Sequence, residues 1–426
     1  MQEKKKPKVL IISHNAMRSD TNNGRTIAEL FQNWDKENIA QLYFYKEDPQ
    51  TEICDNFYRI SDFDVLNSIK KLGKAGGKVN LDSKIEIGNK QNQILQNGSK
   101  RSPISKFARN LLWSFNSWWS KNLKKWLEDF KPDAIFFYGS NYVFSEKIVL
   151  KIAKKYSIPI ITYWVDDFYV NSFSKATSLL DCYNKKSYRN VTNKLMKKSE
   201  FVALNDYMEE KYSEVFHKKG NVIYTTSSIM PFLPKQKGED KIVMSFLGNI
   251  SWDRYKSLID IAKTIVYNNL EIELNVYTGE NRSWILNNIL NVDGLNYKGS
   301  INYEQVKEVM ENSDILLHVE DFGEKQREGV RYSFSTKIAD SLSSNRCLFA
   351  YGPKDVASMQ YLINNECAFV ATNKEELLEK LQIVISNEKL RIDMADKAII
   401  MANKNHNVIE NQNKLLKIIN NDIGKN

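Results

Sequence analysis

The chain has 426 residues, 42% hydrophobic and 27% charged, a globular composition too long for one ordinary core and suited to two α/β domains of about 200 residues each. No apolar run approaches the roughly 18 residues of a membrane span, the start "MQEKKKPKVLIIS" is too briefly apolar for a signal peptide, and four scattered cysteines with four histidines argue against zinc, disulfides or a His-based metal centre and fit a reducing cytoplasm. The net charge of +9 favours anionic partners, whether nucleic acid, acidic headgroups or phosphorylated small molecules.

"KVLIIS" (8–13) reads as a buried parallel strand. A loop, "HNAMRSDTNNGR", leads to a helix carrying Ile27, Leu30, Phe31 and Trp34 at helical spacing, and "IAQLYFY" is a second strand. This β-loop-α-β opening belongs to a doubly wound sheet. Residues 73–105, rich in Gly, Asn, Lys and Ser, read as a mobile insertion. Residues 106–130 follow as one broad apolar helical face, with Leu111, Leu112, Phe115, Trp118, Trp119, Leu123, Trp126 and Phe130 flanked by lysines. That face either packs on the sheet or meets a membrane surface. "KPDAIFFYG" and "IPIITYWV" are further strands, so the adjacent acids Asp166 and Asp167 sit at a strand's carboxyl end, where open α/β sheets hold their ligands. They can bind a divalent metal, act as a base, touch a substrate hydroxyl or cap the next turn.

After a linker around 230–241 the pattern restarts, and a helical tail follows residue 374. Three places in this second half carry polar residues that pattern alone does not need. In "FLGNISWDRYKSL" a strand ends at Gly248-Asn249, and Arg254 and Lys256 stand near a helix start, where the macrodipole disfavours cations unless an anion is present. In "RYSFSTKIADSLSS", Ser333, Ser335 and Thr336 suit an N-cap, Lys337 lies in the first turn, and Asp340 shares its face. In "HVEDFGEKQREGVRY" a strand delivers His318 and Glu320 to a charged loop.

Together with "YWVDDFY" and "YKGSINYEQVKEVMENSDILLHVE", these segments resemble the GT-B glycosyltransferases, and more narrowly the family 4-like bacterial capsule and lipopolysaccharide enzymes, over nearly the whole chain. The resemblance implies two Rossmann-like domains facing a cleft: an acceptor domain at 1–233, a nucleotide-sugar donor domain at 241–400, and a C-terminal helix at 401–426 packing back on the first domain. Gly24 corresponds to the glycine-bearing loop facing the donor. Arg254 and Lys256 stand for the pair that holds the diphosphate, with Gly248 and Asn249 at the strand end. Ser333, Ser335, Thr336 and Lys337 resemble the phosphate-binding helix cap. Asp340 matches the ribose-binding acid, and Gly299, Ser300 and Ile301 match the stretch that contacts the nucleobase. Two departures stand out: the earlier, sugar-contacting acid of the family's Glu-x7-Glu pair, whose later member is Asp340, is replaced by Tyr332, with Glu320 as a substitute, and Asn249 replaces the usual arginine.

The resemblance implies transfer of a sugar from a nucleoside diphosphate donor, with uridine the favoured base, to a saccharide or lipid-linked acceptor in surface-glycan assembly. Retention of configuration, no metal and no cofactor besides the donor substrate are expected. Asp167, then Asp166, is the expected group at the reacting hydroxyl. The expected setting is the cytoplasm, at the inner membrane face through residues 106–130, without nucleic acid. The competing readings are a sugar-nucleotide epimerase of the same fold and a non-catalytic binder of polyanions.

Overall fold

The computed structural model describes residues 6–18, 22–71, 75–81, 102–234 and 241–425. These divide into two compact units, Met1–Ile223 with Gln412–Asn426, and Tyr224–Asn411.

The first unit is built on an eight-stranded sheet. Its strands are β1 (Val9–Ser13), β2 (Ile39–Tyr43), β3 (Phe57–Arg59), β4 (Gly77–Lys78), β5 (Ala134–Tyr138), β6 (Ile160–Trp164), β7 (Ser199–Ala203) and β8 (Asn221–Val222). They lie in the order β4-β3-β2-β1-β5-β6-β7-β8, parallel except for the antiparallel β3/β4 pair. Every residue of β1, β2, β5 and β6 is buried, which explains their nearly unbroken apolar runs. Strand order reverses between β1 and β5, the position at which such sheets open a crevice.

The expected insertion at 73–105 lies mostly outside the described residues. Its described parts include β4 and the opening of a helix, Pro103–Ser114, whose first turn is capped by Ser102 accepting from the Ser105 amide at 3.2 Å. The broad helical face expected over 106–130 is two helices, Pro103–Ser114 and Lys121–Phe130. Asn116 takes a left-handed conformation (φ 53°), which ends the first, and Ser120 caps the second. Trp113, Trp118 and Trp126 are buried. Trp113 stacks on Phe144 at 3.9 Å, and Trp126 donates from its indole to Asn56 at 2.6 Å. These tryptophans belong to the core.

The second unit has a six-stranded, all-parallel sheet: β9 (Ile242–Leu247), β10 (Ile272–Tyr277), β11 (Leu295–Gly299), β12 (Ile315–Val319), β13 (Cys347–Tyr351) and β14 (Phe369–Ala371). Its order is β11-β10-β9-β12-β13-β14, so the reversal falls between β9 and β12. Helix Arg254–Tyr267 buries Leu258, Ile261, Ala262 and Ile265 in one core with Met244, Leu274 and Leu317 of the sheet. Residues 224–234, which the sequence reading assigns to the first domain and linker, bond inside this unit: Ser227 N–H donates to His406 O, and Phe232 N–H to Ser344 O, both at 3.1 Å. The tail forms helices Lys374–Ser386, Glu388–Asn405 and Val408–Ile423. Within the first unit, Gln412 donates to the Glu29 carbonyl at 2.6 Å and Lys425 to Glu200 at 2.9 Å. No helix among the described residues is long and apolar enough to cross a membrane.

Candidate functional site

In the second unit, the carboxyl ends of β9 and β12 lie side by side at the reversal of strand order. β9 delivers Gly248 and Asn249, and β12 delivers His318 and Glu320. A Cβ on Gly248 would stand 2.9 Å from the Phe246 ring and 3.5 Å from Lys337 Cδ. The lysine stem therefore lies against a bare glycine, and a side chain there would crowd the Phe246 ring. Asn249 folds back, accepting from the Ser251 amide at 2.6 Å. Trp252 and Asp253 then both take φ 59°, a left-handed pair that costs on the order of 1–3 kcal/mol per residue and is held by what surrounds it. Asp253 accepts from Gln326 Nε2 at 2.8 Å and from Lys256 Nζ at 2.7 Å. Lys256, half exposed, is thus drawn to Asp253, which raises its pKa.

Arg254 opens helix Arg254–Tyr267 and meets Glu320 in a two-point pair, Nε to Oε2 at 2.8 Å and Nη2 to Oε1 at 3.0 Å. The Glu320 side chain is 2% exposed and that of Arg254 19%. Such a pair fixes both groups in plane. Glu320 is accordingly a positioner of Arg254, each of its oxygens accepting from the guanidinium, a use other than the substitute acid expected from sequence. Its own carbonyl accepts from Ser257 Oγ at 2.8 Å. His318 lies behind the pair with Nε2 3.5 Å from Glu320 Oε1, and this nitrogen is buried without a hydrogen bond. Burial pushes the imidazole pKa down to about 4, with Arg254 and Lys337 adding to the effect and Glu320 opposing it. The ring is neutral at physiological pH.

Helix Thr336–Ser343 starts on the same edge. Ser335 is its N-cap residue, yet its hydroxyl makes no capping bond; instead its amide donates to Ser358 Oγ at 3.4 Å. Phe334, Ile338, Ala339 and Leu342 are buried and hold the helix in place. This leaves a helix start with Lys337 in its first turn, the arrangement that suits an anion. Ser333 and Thr336 flank it, both partly buried. Asp340, a turn further on, accepts from Ser227 Oγ at 2.7 Å. Gly299, Ser300 and Ile301 lie at the end of β11, two strands from β9 and hence about 10 Å away along the sheet. Gly299 has φ 80°, which requires glycine, and Ser300 is exposed.

Arg282 is a cation that the sequence reading missed. It pairs with Glu280 beyond β10 and donates to Ser251 Oγ at 2.6 Å, tying the β10 loop to the β9 loop. Only the Glu-x-Arg spacing after a strand end could have signalled it.

In the first unit, Asp167 is buried and fully engaged. Oδ1 accepts from the Val170 amide at 2.9 Å and the Tyr212 hydroxyl at 3.0 Å, and Oδ2 from the Asn171 amide at 3.1 Å. Burial raises its pKa, while those hydrogen bonds act in the opposite sense. Asp167 thus holds the turn into the short helix Val170–Phe173, the capping role left open from sequence, and its geometry does not suit the reacting group expected there. Asp167→Ala should cost about 3 kcal/mol, since it strands buried donors worth roughly 1–3 kcal/mol each; Asp167→Asn should fold with a loss near 1 kcal/mol and keep any transfer activity. A urea titration beside an activity assay decides this, and an Asp167→Asn protein that is stable but inert would restore the reacting role. Asp166, its neighbour, is exposed and close enough to Tyr138 to raise that phenol's pKa, second to burial. Gly24, expected in a loop, lies in the first turn of helix Asn22–Phe31.

His14, directly after β1, was also missed. Its ring centre is 4.4 Å from that of Tyr142, Nδ1 is buried without a hydrogen bond, and burial with the nearby Arg109 pushes its pKa to about 3. A polar residue just beyond a buried strand was the available signal, as it was for Asp166. Among the described residues no group of three or more His, Cys, Asp or Glu could hold a metal ion.

Residues 258–417 match the family model described as glycosyl transferase-like. No curated protein matches the chain in sequence. Among solved structures, sucrose-phosphate synthase from Thermosynechococcus elongatus is similar at a TM-score of 0.64 and 10% identity, covering 98% of this chain and 99% of that one. The α,α-trehalose-phosphate synthase (UDP-forming) from Burkholderia xenovorans, in complex with glucose-6-phosphate, gives 0.62 at 8% identity, covering 97% and 100%. Anabaena HepE in complex with UDP and glucose gives 0.61 at 10%, covering 97% and 99%. At such identities the likeness is one of fold. The chain has the GT-B fold, with two Rossmann-like units and a helical C-terminal end, and its residues 258–417 match the glycosyl transferase-like family model.

Proposed function

We propose that the chain transfers a sugar from a nucleoside diphosphate donor, with uridine as base, to a saccharide hydroxyl, without a metal and with retention of configuration. The observation that carries this reading is the β9/β12 edge: Lys337 in the first turn of a helix, its stem against Gly248, beside an Arg254 held rigid by Glu320. Fixed cations and a helix start stabilise the charge that grows on a departing diphosphate, and they need no reorganisation during reaction. Gly299 to Ile301, about 10 Å along the same edge, suits a base held at the far end of the nucleotide. Asp340 is assigned to the ribose, reached by exchange of its Ser227 bond. In the first unit, Asp166 is the acid assigned to the acceptor or the transferred sugar. UDP as the donor nucleotide is supported by the UDP named with HepE and with the trehalose-phosphate synthase. A role in bacterial surface-glycan assembly, on a lipid-linked acceptor at the inner membrane face, is the biological setting we assign.

A thermal-shift panel with UDP, GDP, ADP, CMP and dTDP, each with and without EDTA, tests the donor site. A ligand that binds only the folded state adds about 2.7 kcal/mol of stability at a hundredfold excess over Kd. The expected result is a selective rise with UDP that EDTA leaves unchanged. No shift with any nucleotide would overturn the transferase reading in favour of a polyanion binder, and a shift lost with EDTA would overturn metal independence.

A further inference from the structure

One large ring on the β9/β12 edge takes no part in holding a diphosphate. Trp252, in the loop after β9, is 45% exposed and has φ 59°. A left-handed backbone is rare for so bulky a residue and persists only where its surroundings over-determine it. The loop is held from both flanks. Asn249 accepts from the Ser251 amide at 2.6 Å, Ser251 Oγ accepts from Arg282 at 2.6 Å, and Asp253 accepts from Gln326 at 2.8 Å. The indole itself rests on Gly329 of the helix Glu324–Val330, where a Cβ would stand 2.5 Å from Cζ3 and 2.8 Å from Cη2. That approach leaves room for glycine alone. The helix beneath is tied down in turn, since Arg327 and Arg331 both meet Asp355, at 3.5 and 3.2 Å. A strained backbone and a bare glycine thus fix an indole that stays half open to solvent.

The place of this ring follows from the sheet. Trp252 shortly precedes Arg254, and Gly329 shortly precedes Ser335 and Lys337, so the indole spans from the β9 loop towards the second cationic element. Strand order runs β11-β10-β9-β12. Gly299 to Ile301 end β11 on one side of β9, and helix Glu324–Val330 follows β12 on the other. A nucleotide laid along the edge with its base at β11 and its diphosphate at Arg254 and Lys337 carries its sugar to the β12 side, where the indole lies. A pyranose presents ring hydrogens on its faces and hydroxyls around its rim. Its slightly positive C–H groups match the negative face of an aromatic ring, while Asp253, Gln326 and Lys256 beside the indole are polar groups of the kind that suit the hydroxyls.

We propose that Trp252 is a stacking platform for the donor sugar and so determines specificity for a hexopyranose. The proposal rests on the transferase reading, which supplies the nucleotide; it adds the class of sugar and the residue that selects it. An indole that served only to pin the loop to the helix would support the whole edge alike. Its loss would then weaken the bare nucleotide as much as the nucleotide sugar. A platform acts on the sugar alone.

Calorimetric titration of UDP, UDP-glucose, UDP-galactose and UDP-N-acetylglucosamine into the wild type, Trp252→Phe and Trp252→Leu tests this. Leucine keeps an apolar contact with Gly329 and removes the aromatic face. Trp252→Leu is expected to bind its preferred UDP-hexose roughly 2- to 12-fold more weakly, the range for one aromatic contact, with UDP affinity unchanged. Trp252→Phe should stay within about twofold of the wild type for both. A UDP-hexose, but not UDP, should also shield the wild-type indole from acrylamide quenching, and that protection should vanish in Trp252→Phe, which stacks without the fluorophore. Equal losses for UDP and UDP-hexose in Trp252→Leu would overturn the platform and leave Trp252 a loop anchor. Unchanged UDP-hexose affinity in that variant would overturn it too, as would a wild type that binds UDP but none of the UDP-hexoses. In each of those cases the bound UDP leaves the transferase reading standing, whereas a wild type that binds neither UDP nor any UDP-hexose overturns both.

Discussion

Arg254→Ala is expected to lower the stability of the second unit by about 3–5 kcal/mol, the usual cost of removing one partner from a buried ion pair. The cause is Glu320: at 2% exposed its carboxylate has little water to turn to, and both oxygens lose their donors together. The neighbouring His318, held neutral by burial, offers no cation in exchange. The double variant Arg254→Met, Glu320→Leu should recover most of the loss, since replacing a whole buried pair by apolar groups of similar volume is often neutral or better. Denaturant titration of the wild type, both single variants and the double variant measures the coupling. A Glu320→Ala variant alone should be costly too, leaving a guanidinium part-buried without its acceptor. If Arg254→Ala instead keeps wild-type stability and loses only nucleotide affinity, the pair is not the anchor described here. The expected instability also means that weak nucleotide binding by Arg254→Ala would not, by itself, assign Arg254 to the diphosphate.

Lys337→Ala gives the cleaner reading of the site. Lys337 is partly buried, and its stem rests on Gly248. Its loss should cost about 1 kcal/mol, the centre of the range for point substitutions and well below the cost of losing Arg254. A hydrogen bond to a charged group contributes about 1.5–3 kcal/mol, so affinity for UDP should fall roughly 10- to 150-fold. Affinity for uridine, which has no phosphate, should stay the same. Calorimetric titration of both ligands into both proteins makes the comparison. Equal losses for UDP and uridine would show that Lys337 supports the fold of the pocket and does not meet the diphosphate.

The two units and their parallel strands follow from features visible along the chain. Short apolar runs such as "VLIIS" and "ILLHV" leave no polar face and so must be buried on both sides. Gly248 at a strand end and Lys337 in a helix's first turn are equally local facts, because a cap or a strand end is set by a few neighbouring residues. The same local reasoning marked Asp166 and Asp167, and the resemblance ranked Asp167 first. Which of two adjacent acids turns inward depends on the pleat and on Tyr212, 45 residues away, whose hydroxyl claims Asp167.

Pairing across distance is what tertiary structure alone decided. Arg254 and Glu320 are 66 residues apart, and they meet because β9 and β12 are neighbours in the sheet while β10 and β11 lie to the other side. Read along the chain, Arg254 is a cation for a ligand and Glu320 an acid for a substrate. Folded, each is chiefly the other's partner. The tryptophans of 106–130 changed meaning in the same way, since Asn116 breaks their helix and turns Trp113, Trp118 and Trp126 into the core. Periodicity reports which residues avoid water, but burial against the sheet and exposure to a bilayer satisfy it equally. Only the packing of Pro103–Ser114 beside Leu179–Met196 separates the tryptophans within from Ile104 and Leu179 outside.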